Sequence, residues 1–202
     1  MQLSKFPKNP PMPHSLLDHI RKFISLTPEL ELQIPEYFER LEVGKKEVLL
    51  SANMVCNRLF FVERGCVHAF FTDRQGVEKS VQFALENWWI SDYQAFYKKK
   101  ATDATIQAVE DSVVWSISKE RYDALLAEHP ATESYFRKMY EIGYGAVITR
   151  IKYLFSYSKE EVFYNFSEQF PYFVQRVPQY ILATYLGLTP EYLSKLRAKR
   201  RS

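Results

Sequence analysis

The stretch Gln179–Ala198, QYILATYLGLTPEYLSKLRA, restricts the fold more than any other part of this 202-residue chain. Two helices that cross steeply over a three-residue turn require particular residue types at fixed steps. The first helix needs a small side chain at the crossing, and Ala183 supplies it. Four positions on, the turn needs a residue that tolerates positive φ, and Gly187 stands there. The second helix must bury an apolar residue on each of two turns; Leu193 and Leu196 fit. Leu182, Leu186 and Leu188 complete a small shared core. Thr189 is a good N-cap, Pro190 suits the first helical position, and Glu191 lies at the positive helix end. The spacing predicts a helix-turn-helix with Thr189–Arg200 as its second helix.

Charge points the same way. In residues 189–202, Lys195, Arg197, Lys199, Arg200 and Arg201 stand against Glu191 alone, a net +4, so the chain's net +3 leaves −1 for the other 188 residues. A positive field on the last segment suits a phosphate backbone. The outward face of the second helix would present Glu191, Tyr192, Ser194, Lys195 and Lys199. The N-terminal half of such a helix enters the major groove. There Glu191 can accept from a cytosine amino group, and Lys195 can donate to guanine O6 and N7. Ser194, Arg197, Lys199 and Arg200 suit phosphates. With the Thr189 cap, these residues form the candidate DNA-binding set. The alternatives are a helical hairpin that serves only as a packing unit and a solubilising basic tail.

Upstream the periodicity changes twice. Lys159–Phe170 reads as a helix halted near Pro171, with a loop through Val177-Pro178. Thr132 to about Ser156 is a longer helix, with Phe136, Met139, Tyr140, Gly143, Ala146, Val147, Arg150, Ile151 and Leu154 in a narrow seam. Gly143 and Gly145 each cost a helix about 1 kcal/mol against Ala. Close approach of a partner helix would compensate; the other reading packs this helix on its own domain. Lys119–Glu128 is a short helix with Tyr122, Leu125 and Leu126 inward, stopped by Pro130. From about Leu32 to Ser118 the pattern has period two in short runs, such as RLFFVERG, CVHAFFTD and SVVWSIS, separated by turn signals at 42–45, 63–65 and 73–76. Short strands at this spacing predict an antiparallel barrel, roll or sandwich. Ser15 can cap a helix over Leu16–Ile24, and the Pro-rich residues 1–13 read as a tail.

Other classes find little support. No run approaches the roughly 18 apolar residues of a membrane span, and the first residues lack the apolar core of a secretory signal. Cys56 and Cys66 have no metal-type spacing and suit a reducing cytoplasm; a structural role outweighs a redox or iron–sulfur one. Catalytic motifs of the hydrolase, metalloprotease and nucleotide-binding kinds are absent. His14, His19, His68 and His129 are scattered. A cupin-like enzyme would need histidines clustered in strands, and only His68 lies there. The chain is read as no enzyme.

In this order, a β-rich part, a long seam helix and a C-terminal helix-turn-helix, residues 15–202 resemble the Crp/Fnr family of bacterial transcription regulators, most of all its compact Bacteroidetes-type members. The specific points are Gly44-Lys45-Lys46-Glu47-Val48-Leu49-Leu50, the stretch Val55–Gly65, and Gln175-Arg176-Val177-Pro178. The family's Glu-x-x-Ser-Arg pattern matches as Glu191-Tyr192-Leu193-Ser194-Lys195, with Lys for Arg, a point charge in place of a bidentate fork. The resemblance implies a cyclic-nucleotide-binding-type β-roll (15–131), a dimerisation helix (132–156) and a DNA-binding helix-turn-helix (157–202), after a flexible tail (1–14). It further implies a homodimer, double-stranded DNA and RNA polymerase as partners, and a cytoplasmic location without membrane contact.

Two departures qualify it. The family holds cyclic AMP with a Gly-Glu pair on the ribose and an Arg-Ser/Thr pair on the phosphate. Here the first stretch reads Glu86–Tyr93, and Thr102-Asp103 stands for the second pair. A carboxylate repels a phosphate and the guanidinium fork is missing, so weak or no binding of cyclic AMP is expected. Lys98, Lys99 and Lys100 nearby read as a solvated loop rather than a ligand contact. Trp88, Trp89, Tyr93 and Phe96 either line a pocket for an unidentified small-molecule effector or are core. Candidate ligand residues are Trp88, Tyr93, Thr102, Asp103 and Thr105. No cofactor is certain. The family's β-hairpin wing is expected to be missing, since the chain stops at Ser202. The competing function is a ligand-binding or interaction module with a degenerate helix-turn-helix.

Overall fold

The computed structural model describes residues 16–201; the expected tail over 1–14 and the Ser15 cap lie outside the described residues. Helix α1 (Leu16–Arg21) ends before the expected Ile24. Helix α2 (Pro28–Gln33) and a 3-10 turn (Ile34–Tyr37) follow. Thr27 caps α2 by accepting from the Leu30 amide, and Pro28 pre-sets its first turn. The strands, expected from about Leu32, therefore begin only at Glu39.

Eight strands follow: β1 (Glu39–Val43), β2 (Val48–Leu50), β3 (Arg58–Arg64), β4 (Val67–Thr72), β5 (Glu78–Ala84), β6 (Trp89–Ile90), β7 (Ala104–Ala108) and β8 (Ser112–Ser118). They form two antiparallel four-stranded sheets in the orders β1-β8-β3-β6 and β2-β7-β4-β5. Phe60, Val62, Val67, Ala69, Ala84, Ile90, Ile106 and Val114 fill the interior. On the other face of β3, Leu59 and Phe61 join a second core. Burial on both faces explains why RLFFVER reads as a run of apolar residues rather than an alternation. The β3–β4 turn requires glycine: Gly65 has φ +108°, and a Cβ there would stand 2.1 Å from the Ser112 hydroxyl.

Helix α3 (Tyr93–Lys98) interrupts the strands, and Asp92 caps it by accepting from the Ala95 amide. Helix α4 (Lys119–Glu128) has the expected bounds, with Tyr122 and Leu125 buried. Helix α5 (Ala131–Ser156) is 26 residues long, about 39 Å. Its first turns are anchored in the second core. Tyr135 is fully buried there, and its hydroxyl accepts from Trp89 Nε1 at 2.8 Å and meets His19 Nδ1 at 2.8 Å. Beyond Tyr140 one face of α5 is open: Ile142, Tyr144, Val147, Ile151, Leu154 and Phe155 are exposed. An added Cβ at Gly143 or Gly145 would meet nothing within 4 Å among the described residues, which therefore do not use the room these glycines leave.

The C-terminal helices are α6 (Lys159–Gln169), α7 (Pro171–Arg176), α8 (Gln179–Tyr185) and α9 (Pro190–Arg201). Ser158 and Glu161 form a reciprocal capping box on α6. Pro171, expected only to end α6, also starts α7, the position its fixed φ favours. The core of this helical unit includes Val162, Phe163, Leu182, Ala183, Leu193 and Leu196. The roll contributes Cys66, Phe83 and Val109 to it. The whole is the expected α+β arrangement: an antiparallel jelly-roll-like β-roll, a long helix and a C-terminal helical unit. No helix among the described residues is long and apolar enough to cross a membrane.

Candidate nucleic-acid interface

The turn between α8 and α9 is built as its residue types demand. Gly187 has φ +71°, and the Leu188 amide donates back to the Ala183 carbonyl at 2.8 Å. Ala183 and Leu193 are fully buried at the crossing, and Leu196 is buried one turn on. The Thr189 hydroxyl accepts from the Tyr192 amide at 3.2 Å, capping α9. Gln179 ties the two helix starts together, donating through Nε2 to the Pro190 carbonyl at 3.3 Å.

Against this core Glu191, Tyr192, Ser194, Lys195 and Lys199 are all exposed. They share the face the spacing assigned to them. Arg197 lies off that face: it is half-buried, and its guanidinium donates to Gln179 Oε1 at 3.5 Å. Lys199 reaches back to α6, where Nζ donates to Glu160 Oε1 at 2.8 Å; that carboxylate raises the Lys199 pKa. Both partners are open to solvent and the pair is screened. Arg200 belongs to the last turn of α9. Its side chain falls outside the described residues.

The candidate ligand residues are not gathered around a pocket. Trp89 and Phe96 are buried in the core beneath α4 and α5, with Tyr93 packed against it. Trp88 packs instead against the roll interior. Of the two readings of these aromatics, the packing follows the core one, with Trp88 and Trp89 on opposite sides of the chain. Buried Thr102 donates to Asp92 Oδ2 at 2.7 Å and accepts from the Ala104 amide at 3.0 Å. The Thr105 hydroxyl accepts from the Ala52 amide at 3.3 Å. Asp103 and Lys98–Lys100 are exposed. An open cleft of about 280 Å³ between β1 and β2, lined by Glu39, Leu41, Val48, Leu49, Arg58 and Phe60 among others, holds none of the candidate ligand residues.

Cys56 and Cys66 are buried, and burial raises the pKa of both thiols. Among the described residues no group of three metal-ligating side chains forms.

The junction between roll and helical unit has no signature in residue spacing. Helix α8 lies along β5, an edge strand, and the Ser80 amide donates to the Thr184 hydroxyl at 3.3 Å. Phe83 meets Phe173 and Tyr185 edge-on, at 4.8 and 5.0 Å between ring centres. Two arginines complete the contact. Arg150 of α5 donates to the Val81 carbonyl at 3.0 Å and the Tyr185 carbonyl at 2.7 Å, with its guanidinium over the Tyr185 ring. Val81 is the bulged residue where the β4–β5 register shifts, which frees its carbonyl from the ladder. Arg176 binds Glu86 with both terminal nitrogens, at 2.9 and 2.7 Å, and donates through Nε to Glu110 at 2.7 Å. It also donates to Glu110 through Nη2 and to the Tyr172 hydroxyl at 3.0 Å. All five of its N–H groups are used. Burial pushes the Glu86 carboxyl up, but Arg176 and the Gly65 amide outweigh it and hold the group below the usual carboxylate range. Arg176 stands in the stretch Gln175–Pro178 that carries the family resemblance, and Glu86 in a stretch that departs from the family.

Comparison with known proteins agrees with this architecture. Residues 40–129 match the cyclic nucleotide-binding domain family. None of the curated proteins compared with the chain matches it. Among solved structures, the chain is similar to a CooA mutant from Carboxydothermus hydrogenoformans, at 20% identity and TM-score 0.65 over 88% of this chain and 86% of that one. A protein described as a crp/fnr-family transcriptional regulator from Eubacterium rectale superposes at 16% identity and TM-score 0.66, over 87% and 84%. The regulator CLP of Xanthomonas campestris, described as c-di-GMP responsive, does so at 13% and 0.66, over 84% and 89%. Residues 40–129 are thus similar to cyclic nucleotide-binding domains, and the chain as a whole shares the fold of these solved regulators.

Proposed function

We propose that the chain is a homodimeric, sequence-specific DNA-binding transcription regulator of the Crp/Fnr family, with α9 as its recognition helix. The observation that carries this reading is the exposed polar face of α9, Glu191, Tyr192, Ser194, Lys195 and Lys199, held over a fully packed helix-turn-helix core. Residues 15–131 are the sensor roll, 132–156 the dimerisation helix and 157–202 the DNA-binding unit. The exposed apolar half of α5, with open space at Gly143 and Gly145, suits a second copy of the same helix. Two copies then present their α9 helices to half-sites about 34 Å apart. The effector is not cyclic AMP: Thr102 and Asp92 spend their polar groups on each other and on the α3 cap. RNA polymerase is the onward partner, and the cytoplasm the location.

Selection from a random duplex pool tests the reading. A two-fold symmetric site is expected, lost in Lys195→Ala. No enrichment, with the chain eluting from heparin at low salt, overturns it in favour of an interaction module. A shift of the salt slope by about one per lost phosphate contact in Lys199→Ala would further separate positioning from base contacts.

A further inference from the structure

We propose that Arg176 is a positioning residue for DNA recognition: it latches the helical unit to the roll and thereby fixes the direction in which α9 is presented. The proposal rests on the DNA-binding reading above. Two recognition helices fit two half-sites only if each is held at a set angle to the long helix that carries it. The covalent connection cannot supply that angle. Helices α5 and α6 are joined by Tyr157 and Ser158 alone, both in extended backbone that permits rotation.

The contacts at the junction differ in how much direction they impose. Phe83 against Phe173 and Tyr185 is an apolar contact, and apolar burial is non-directional. The Arg176 cluster is directional. Its planar fork spans Glu86 and Glu110, with all five donors used, and the side chains of Arg176 and Glu86 are 13% and 7% exposed. A tilt of the helical unit would break several short bonds together. Arg150 adds a second fixed point at the other end of α8, joining Val81 of the roll to Tyr185.

The two carboxylates stand in two different turns of the roll, Glu86 after β5 and Glu110 between β7 and β8. Glu86 also accepts from the Gly65 amide, which ties the β3–β4 turn to the cluster through that carboxylate. Glu86 opens the segment 86–93 that leads to Asp92 and the α3 cap. A displacement of that segment therefore reaches Arg176 through one side chain. This is how a roll with no ligand contact to DNA can set the angle of α9.

The test uses the full chain and fluorescence anisotropy on two duplexes: the selected symmetric site, and the same site with one half scrambled. A loosened helical unit must be ordered twice to hold both half-sites, whereas one half-site tolerates any angle. Arg176→Gln is expected to weaken binding to the symmetric duplex by about tenfold or more and to leave the half-site within about twofold. Equal weakening on both duplexes, or none on either, overturns the latch. Glu110→Gln keeps the two-pronged Glu86 contact and is the milder variant; a smaller change in the same direction is expected. Hydrogen exchange gives a readout without DNA. In Arg176→Gln, amides of 171–188 and Gly65 should exchange faster while β3 and β8 stay protected; unchanged exchange at 171–188 overturns the latch. Wild-type chain that binds neither duplex overturns the DNA reading instead, and exchange then decides the latch alone.

Discussion

Segments 86–105 and 179–199 carry comparable sets of polar and aromatic candidates, and the fold treats them in opposite ways. In 179–199 the buried residues build a hairpin and leave Glu191, Tyr192, Ser194 and Lys195 facing outward. In 86–105 the polar groups turn inward on one another, Thr102 to Asp92 and Thr105 to Ala52, while the aromatics divide between two cores. The first segment is a surface on a scaffold; the second is scaffold. A helix shows its two faces at three- and four-residue steps, so its outward set is countable. A segment that passes from turn to strand to helix to strand has no single face to count.

The largest effect expected is on the hairpin core. Leu193→Ala removes a fully buried side chain and should cost about 2–5 kcal/mol, read by thermal or urea unfolding. A loss below 1 kcal/mol would show that the hairpin contributes little to the fold. Next comes His68, stacked between Phe70 and Phe83 with Nδ1 on the Ser80 hydroxyl, whose pKa burial lowers to about 4. As pH falls below about 6.5 the unfolded chain takes up this proton and the folded chain does not. Stability should therefore be full above that pH and fall toward pH 4, by about 3 kcal/mol at most. His68→Gln should flatten that slope.

Asp92→Ala tests the inward-turned segment. It removes the α3 cap and strands the Thr102 hydroxyl, at about 1–2 kcal/mol, read by urea unfolding. Lys195→Ala is the mirror case: about tenfold weaker binding to the selected site and a stability change within about 0.5 kcal/mol. The smallest expected effect is none. Calorimetry with cyclic AMP should give no binding heat in the micromolar range, and a micromolar Kd would mean that Asp92 and Thr102 open toward a ligand.

Local spacing made several elements readable. The helix Lys119–Glu128, the long α5, the strand runs and the α8–α9 turn are each specified by residues within one or two turns of one another. Two local signals lie where the surrounding pattern points elsewhere. Thr27-Pro28 is the same cap-and-proline pair as Thr189-Pro190 and starts α2, although the period-two pattern begins at about Leu32 within that helix. Asp92 caps α3 inside the stretch that stands where the family holds its ligand. Other features had no local signal at all. The order β1-β8-β3-β6 pairs Glu39 with Ser116, and the Arg176–Glu86 contact spans 90 residues.

By itself, the sequence determined the α+β class, the helix-turn-helix and the outward face of its second helix, because helix periodicity, caps and a positive-φ turn act between near neighbours. The tertiary structure alone decided which aromatics are core, that α8 covers the β5 edge, and that Arg176 joins two turns of the roll to the helical unit. A buried guanidinium needs carboxylates, but nothing in the order of the residues says which ones folding will bring to it.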